Sequence, residues 1–435
     1  MIARRVFTIL FVFSSAALGI AALVGLLGSG RAQANSTTRY VSPNGNCGVV
    51  TPCYGSVQAA VDAAAAGDII KVSQGVYTNT GDNVLVITKS LSVVGGYSTI
   101  DWGESRPAER QSILDGEDER RVVYLPGFTP VEVTLSGLTV KNGSTLTGGG
   151  SGLLIISSSV DVEYSLITAN DATQGKDNFG GGVAISGGIV SLVNNTISEN
   201  QAGSGAGLSI NGAETTITRN DIRGNKAITG GGLHIFGKAT LVLDDNMIIK
   251  NEAKFRRGSA ILLDEEGFIE GDNNIVADNG DSKADGEAIN VWSGTLNARH
   301  WTVANNDAYG IVASNGAVNL VNTIVSGHSI AGLFGDFVDA NVTLFFNNNV
   351  DCTSGATCEN SLEGNPSFVN PSQFDYHITH QSAAINAGID AGVTVDIDGD
   401  VRPTGDGFAI GADEINFVTY LPSMLNVFAL TNGSN

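Results

Sequence analysis

Positive charge is scarce in this sequence. Its 435 residues hold 23 Lys and Arg against 44 Asp and Glu, a formal net charge of −21. So acidic a surface repels nucleic acid and anionic membranes, which argues against both as partners. Histidine is rarer still: His234, His300, His328, His377 and His380 are the whole supply, so general-base chemistry has few candidates. Serine-elbow, zinc-spacing and phosphate-loop motifs are missing. Only one apolar run, Val6 to Gly28, is long enough to cross a bilayer. The basic MIARR before it and Ala32-Gln33-Ala34 after it point to a secretory signal cleaved after Ala34. Retention of that run as an anchor is the alternative. The apolar stretch INFVTYLPSMLNVFAL near the C-terminus contains Pro422 and is too short, so no span is expected in the mature chain. Cysteine is limited to four, in two close pairs, Cys47 with Cys53 and Cys352 with Cys358. The pairs lie about 300 residues apart with no histidine beside either, which predicts two small disulfide loops rather than a metal site.

Glycine, by contrast, is abundant, with 56 residues, and much of it recurs in a pattern. NTISENQAGSGAGLSI begins at Asn195, NDIRGNKAITGGGLHI at Asn220, NMIIKNEAKFRRGSAILL at Asn246 and NIVADNGDSKADGEAINV at Asn274. WTVANNDAYGIVAS follows at Trp301, and weaker copies start at Gly137, Ser165 and Asn322. Aligned on the second asparagine, the copies fall at Asn142, Asn170, Asn200, Asn225, Asn251, Asn279 and Asn306, at intervals of 28, 30, 25, 26, 28 and 27. Each unit carries three short β-branched or alternating runs, such as Leu233 to Phe236, Leu241 to Asp244 and Met247 to Lys250. The period is too short for a propeller blade and the pattern is wrong for helical repeats. Three strands per turn describe one coil of a parallel β-helix, with equivalent strands stacked at about 4.8 Å. The recurrent asparagines are expected at corners in left-handed backbone, passing hydrogen bonds along the stack. The glycines are expected at the opposite corner, where a variable loop rejoins the first strand.

The G-G-[GAL]-[LI] and T-I-x-x-N signatures resemble the repeats of polymorphic outer membrane proteins and other bacterial right-handed parallel β-helix proteins. SVQAAVDAAAAGDIIKVSQGVYT (56–78) followed by KSLSVVGGYS resembles the opening coils of pectate-lyase-like β-helices. There Ser56 can N-cap a helix whose Val57 and Val61 share a face, stopped by Gly67 and covering the open end of the stack. DIDGDVRPTGDGFAIGADE (396–414) resembles the closing segment of the choice-of-anchor Q domain of secreted β-helix proteins. The alternate aspartates of DIDGD invite a calcium reading, but the rest of a calcium loop is missing. A turn is expected, with Arg402 as its ion-pair partner. The resulting layout is a signal over 1–34, an N-terminal cap with opening coils over 35–130, repeats over 131–350, a closing segment over 351–414 and an apolar tail over 415–435.

By resemblance to pectate-lyase-like enzymes, the groove lies over the strand that follows the variable loop. The outward positions there are Ser209 and Asn211, His234 and Phe236, Leu262 and Asp264, then Asn290 and Trp292. Aromatic rings suit sugar faces, and Asp, Asn and His suit hydroxyls, so His234, Phe236, Asp264, Asn290 and Trp292 are the candidate ligand-binding residues. The competing reading is a solenoid surface decorated without function. If the chain is catalytic, His234 and Asp264 are the candidates. On the strand before the first asparagine, Asp244 and Asp272 are equivalent positions about 4.8 Å apart. They could share Ca²⁺, or Arg299 in the next coil could complete a charge ladder with them. The G-H-G and R-I-K segments of polygalacturonases, the W-I-D-H of pectate lyases and the Q-A and D-F elements of pectin methylesterases are all missing.

The expectation is therefore an all-β, single-stranded right-handed parallel β-helix of about eight to ten coils with a short N-terminal capping helix, secreted or on the cell surface, and monomeric. The favoured function is a non-catalytic binding or adhesion scaffold for carbohydrate or cell-envelope material, with no required cofactor. A polysaccharide lyase or glycoside hydrolase, with Ca²⁺ as an option, is the first alternative. A purely structural envelope protein is the second.

Overall fold

The computed structural model describes residues 36–174, 178–255, 257–280, 286–353 and 355–415. The expected signal and nearly all of the apolar tail lie outside those residues. Among the described residues no helix is long and apolar enough to cross a membrane.

The alternation in the repeat produces the expected coil. Leu233–Phe236, Thr240–Asp244 and Met247–Ile249 are three successive strands. Each pairs in parallel with its equivalent one coil on: Ile261–Leu263, Phe268–Asp272 and Ile275–Ala277. Repetition of this unit builds a right-handed parallel β-solenoid of about 10 turns. Leu233, Ile235, Leu241, Leu243 and Ile248 are all fully buried in the bore, each contributing about 1.5–3 kcal/mol by burial.

The asparagines behave differently from expectation in one respect. The left-handed residue at each corner is the one before the ladder asparagine: Arg219, Gly224, Asp245, Lys250, Asn273 and Asp278 all have φ near +55 to +65°. This neighbour makes the chain reversal, which frees the asparagine to point inward. Two buried ladders result. Asn225 Nδ2 donates to Ile197 O at 2.9 Å and to Asn251 Oδ1 at 2.9 Å, while its own Oδ1 accepts from Asn200 N at 3.1 Å and Asn200 Nδ2 at 3.0 Å. The other ladder runs Asn195, Asn220, Asn246, Asn274 and meets Trp301 at the next corner. That indole donates to Gly271 O at 2.9 Å. A Cβ at Gly271 would clash with Leu243 O and sit 2.9 Å from the Trp301 ring, so the position holds glycine.

At the N-terminal end, Ser56 Oγ accepts from Ala59 N at 3.2 Å and caps the helix Val57–Ala63, whose Val57, Ala60 and Val61 are buried. The helix stops at Ala63, so Gly67, at φ +88°, serves the following turn instead of terminating the helix. Both expected disulfides form, Cys47–Cys53 and Cys352–Cys358.

The closing segment leaves the stack and packs along the outside of the third strands. Tyr376 and Ala412 cluster with Ile249, Ile275, Ala277 and Ala304. Ile378, Ala384, Ala409, Ile410 and Ile415 cluster with Ile324, Val342 and Leu344. The early third strand Asp221–Arg223 carries charge outward, whereas Met247–Ile249 and Ile275–Ala277 are apolar on both faces. DIDGD is a turn: Asp396 accepts from Asp398 N at 3.0 Å, Asp400 N at 2.8 Å and Glu414 N at 2.9 Å. Arg402 pairs with Glu414 at 3.2 Å, both fully buried, rather than with the turn, and its guanidinium also donates to Gly411 O at 2.8 Å in the final GADE stretch.

Candidate functional site

The strands after the glycines are in register, so Ser209, His234, Leu262, Asn290 and Val312 form one outward column. That column is covered. Ser209, Leu262, Asn290 and Val312 are at most 5% exposed. The cover is the glycine corner itself. At Gly230 (φ +60°) the chain turns back over its own strand, and a Cβ there would lie 2.9 Å from Leu233 O and 3.0 Å from His234 Cβ. Gly205 and Gly258 repeat the arrangement. The supposedly variable loops also stack on one another, through Gln201↔Lys226, Ser204↔Thr229 and Lys226↔Glu252, over a small cluster of Ala172, Ala202, Ala206 and Ala227.

Two expected contact residues are corrected by this cover. His234 Nδ1 is 2.6 Å from Ser204 Oγ, and its ring stacks on Phe236 at 4.6 Å. Burial depresses the imidazole to about 4, against the opposing pull of Asp264, so it is neutral at pH 7. Asn290, only 1% exposed, donates to the Glu287 carboxylate, and its Oδ1 is buried without a hydrogen-bond partner.

Two residues further along each strand, beyond the reach of the glycine corner, the surface opens. Phe236, Asp264 and Trp292 occupy equivalent positions in three successive coils, continued by Ser314. Phe236 is half-buried against Phe179, with ring centres 5.8 Å apart. Asp264 accepts from Glu265 N at 2.7 Å and Ser293 Oγ at 3.3 Å. Trp292 is 37% exposed, with the Arg257 guanidinium 4.2 Å over its ring. Beyond it lies a shallow cleft of about 530 Å³ lined by Trp292, Ser314, Asn315, Phe334, Asp336 and Phe337. Phe334 is the register equivalent of the covered Val312, yet it is exposed. The connection before its strand is only residues 327–330, too short to fold back over it. Phe334, Asp336 and Phe337 escape sequence reasoning because this copy lacks the triple glycine. The signal that could have found them is GLFGDF, aligned on GLHIFG.

The acidic pair lies on a different face. Arg299 holds Asp272 with two bonds, Nε–Oδ1 at 2.7 Å and Nη2–Oδ2 at 2.8 Å, and reaches Glu270 at 3.5 Å. Asp244 accepts from Asp272 N at 3.0 Å, and burial, with Asp272 and Asp245 adding repulsion, raises it to about 6. Both oxygens of Asp272 are thus engaged by a guanidinium.

The family of the right-handed β-helix region matches residues 129–297 and 177–370, together more than half of the sequence. The chain belongs to that family. No curated protein matches it. Among solved structures, pectate lyase Pel9A is similar with a TM-score of 0.55 and 16% identity, over 88% of this chain and 97% of that chain. A rhamnogalacturonan lyase aligns over 74% of this chain and 84% of its own, with 13% identity and a TM-score of 0.34, too dissimilar in shape to bear on this protein. The likeness to Pel9A shows a shared β-helix fold and, at that identity, nothing about activity.

Proposed function

We propose that this β-helix is an exported polysaccharide-binding scaffold, and that the face running from Phe236 through Asp264 and Trp292 to the Phe334–Phe337 cleft is its glycan surface. The observation that carries the reading is the composition of that strip. Exposed aromatic rings stand beside a carboxylate, a hydroxyl and an amide, in a shallow groove open to solvent. Rings pack on the apolar faces of sugars, and the polar groups take hydroxyls. The two disulfides fit an oxidising, extracytoplasmic location, and the fold shared with a pectate lyase fits a polysaccharide partner.

Binding without cleavage is favoured over catalysis because the one histidine of this face is enclosed. His234 is held by Ser204 and stacked under Phe236, so it does not reach a ligand in the cleft as a base. The test is retention of the purified chain on a polysaccharide panel, with product analysis in parallel. Trp292→Ala and Phe334→Ala are each expected to weaken retention at least tenfold, about 1.4 kcal/mol, with unchanged β-sheet circular dichroism, since both rings face solvent. Unaltered retention in both variants would remove this face as the site. New reducing or unsaturated ends would replace the scaffold with a lyase or hydrolase.

A further inference from the structure

Away from that face, three distant stretches of the closing segment bring metal-binding side chains to one point. His377 comes from the strand Asp375–Ile378, Asp398 from the DIDGD turn and Asp413 from the final GADE stretch. One ligand atom from each lies within 4.8 Å of the others, and His377 Nε2 is 2.9 Å from Asp398 Oδ2. We propose that His377, Asp398 and Asp413 form a divalent transition-metal site, of the Zn²⁺ class, that staples the closing segment to itself.

Four features support it. The imidazole is already oriented: its other nitrogen, Nδ1, lies 2.6 Å from Asp375 Oδ1, the outer carboxylate that fixes a ligating histidine with Nε2 toward the metal. Asp413 is similarly anchored, since its Oδ2 accepts from Ile378 N at 2.7 Å and the residue is 8% exposed. Charge is unbalanced. Asp375, Asp398 and Asp413 surround a single imidazole, and the nearby Arg402 is taken by Glu414. Finally, His377 and Asp398 line a solvent-connected cleft of about 350 Å³ between the closing segment and the coil wall. Arg219 and Asp245 line its opposite side, and so does Asp221, whose Oδ1 is buried without a partner. The cleft leaves room for a water as the fourth ligand. One nitrogen and two carboxylates favour Zn²⁺ over Ca²⁺, which prefers oxygen alone. Zinc bonds of about 2.0–2.2 Å place tetrahedral ligands about 3.4 Å apart, so small side-chain adjustments complete the site. Binding replaces the proton on Nε2, which is released to solvent.

The test is calorimetric titration of the EDTA-treated full chain with Zn²⁺ and, separately, Ca²⁺, with thermal unfolding in parallel. One equivalent of Zn²⁺ is expected to bind and to raise Tm. His377→Gln and Asp398→Asn should each abolish the uptake, while His380→Gln keeps it. Asp375→Asn should weaken it about 10–100-fold. Asp398 is mostly exposed, so its variant is expected to fold, with circular dichroism as the check. No saturable Zn²⁺ uptake by the parent chain, uptake unchanged in His377→Gln and Asp398→Asn, or a preference for Ca²⁺ would overturn the proposal.

Discussion

At the scale of single residues, the ladder asparagines do the work a hydrophobic side chain cannot. Each corner directs backbone donors and carbonyls inward, and a buried polar group without a partner costs about 1–3 kcal/mol. An asparagine supplies two donors and an acceptor with two lone pairs, enough to satisfy its own coil and both neighbours. Asn225→Ala would leave Asn200 N–H without its acceptor, strip the Asn200 side-chain amide of one of its two bonds and remove the side-chain donor to Ile197 O. It is expected to lower stability by about 3 kcal/mol or more in urea unfolding. Asn211→Ala, at an exposed strand end, should stay within about 0.5 kcal/mol of the parent. The recurrence of asparagine was plain in the sequence. Which residue of the corner takes the left-handed backbone was not, because Arg219 and Lys250 carry no glycine-like signal.

At the scale of elements, the glycine-rich segments are a fourth stacked layer over the first strands. Their close approach depends on missing side chains. Gly230→Ala combines a left-handed backbone with contacts of 2.9 Å to Leu233 O and 3.0 Å to His234 Cβ. We expect a loss of about 2 kcal/mol and a change in the His234 imidazole resonances as the cover lifts. An unchanged imidazole environment would show that the corner does not determine the burial of that face. This layer explains why His234 and Asn290 were misread as solvent-facing. Strict alternation tells which side of a strand faces the core, but a second layer can still fold over the other side. The closing segment repeats the lesson on the third strands, where the cue was available in the doubly apolar Met247–Ile249 and Ile275–Ala277.

At the scale of the whole molecule, stability is tied to pH through buried histidines in several coils. His234, His300 and His328 are depressed to about 4, 3 and 4 by burial. Their unfolded counterparts protonate near 6.5, so the unfolded chain binds more protons and stability falls as pH drops below about 6.5. Asp244 and Asp413, raised to about 6 by burial, oppose this between about pH 4 and 6, but three histidines with larger shifts outweigh them. His377, raised to about 10 mainly by Asp398, acts in reverse: its contribution is complete below about pH 6.5 and lost as pH rises toward 10. Maximum stability is expected near neutrality. His328 stands at a ladder position, between Asn306 and Asn348. His328→Asn therefore keeps the ladder chemistry and removes one acid-sensitive group. It should gain about 2 kcal/mol relative to the parent at pH 5 and little at pH 8, measured by denaturant unfolding at both. Equal effects at the two pH values would rule out this titration as a source of acid lability.

The sequence by itself determined the coil. A period near 27, with β-branched alternation and paired asparagines, leaves no other way to bury Leu233, Ile235, Leu241, Leu243 and Ile248 while pairing every strand. It also determined the capping helix and both disulfides, because those rest on contacts local in the chain. Tertiary structure alone decided what remained open to solvent. Phe236, Asp264 and Trp292 are aligned by repeat spacing, but their exposure depends on how far a glycine corner folds back. The Phe334 cleft exists because one connection is short. His377, Asp398 and Asp413 meet only once the closing segment has wrapped along the third strands. No local pattern encodes such placements, since each depends on which separate segments come to cover one another.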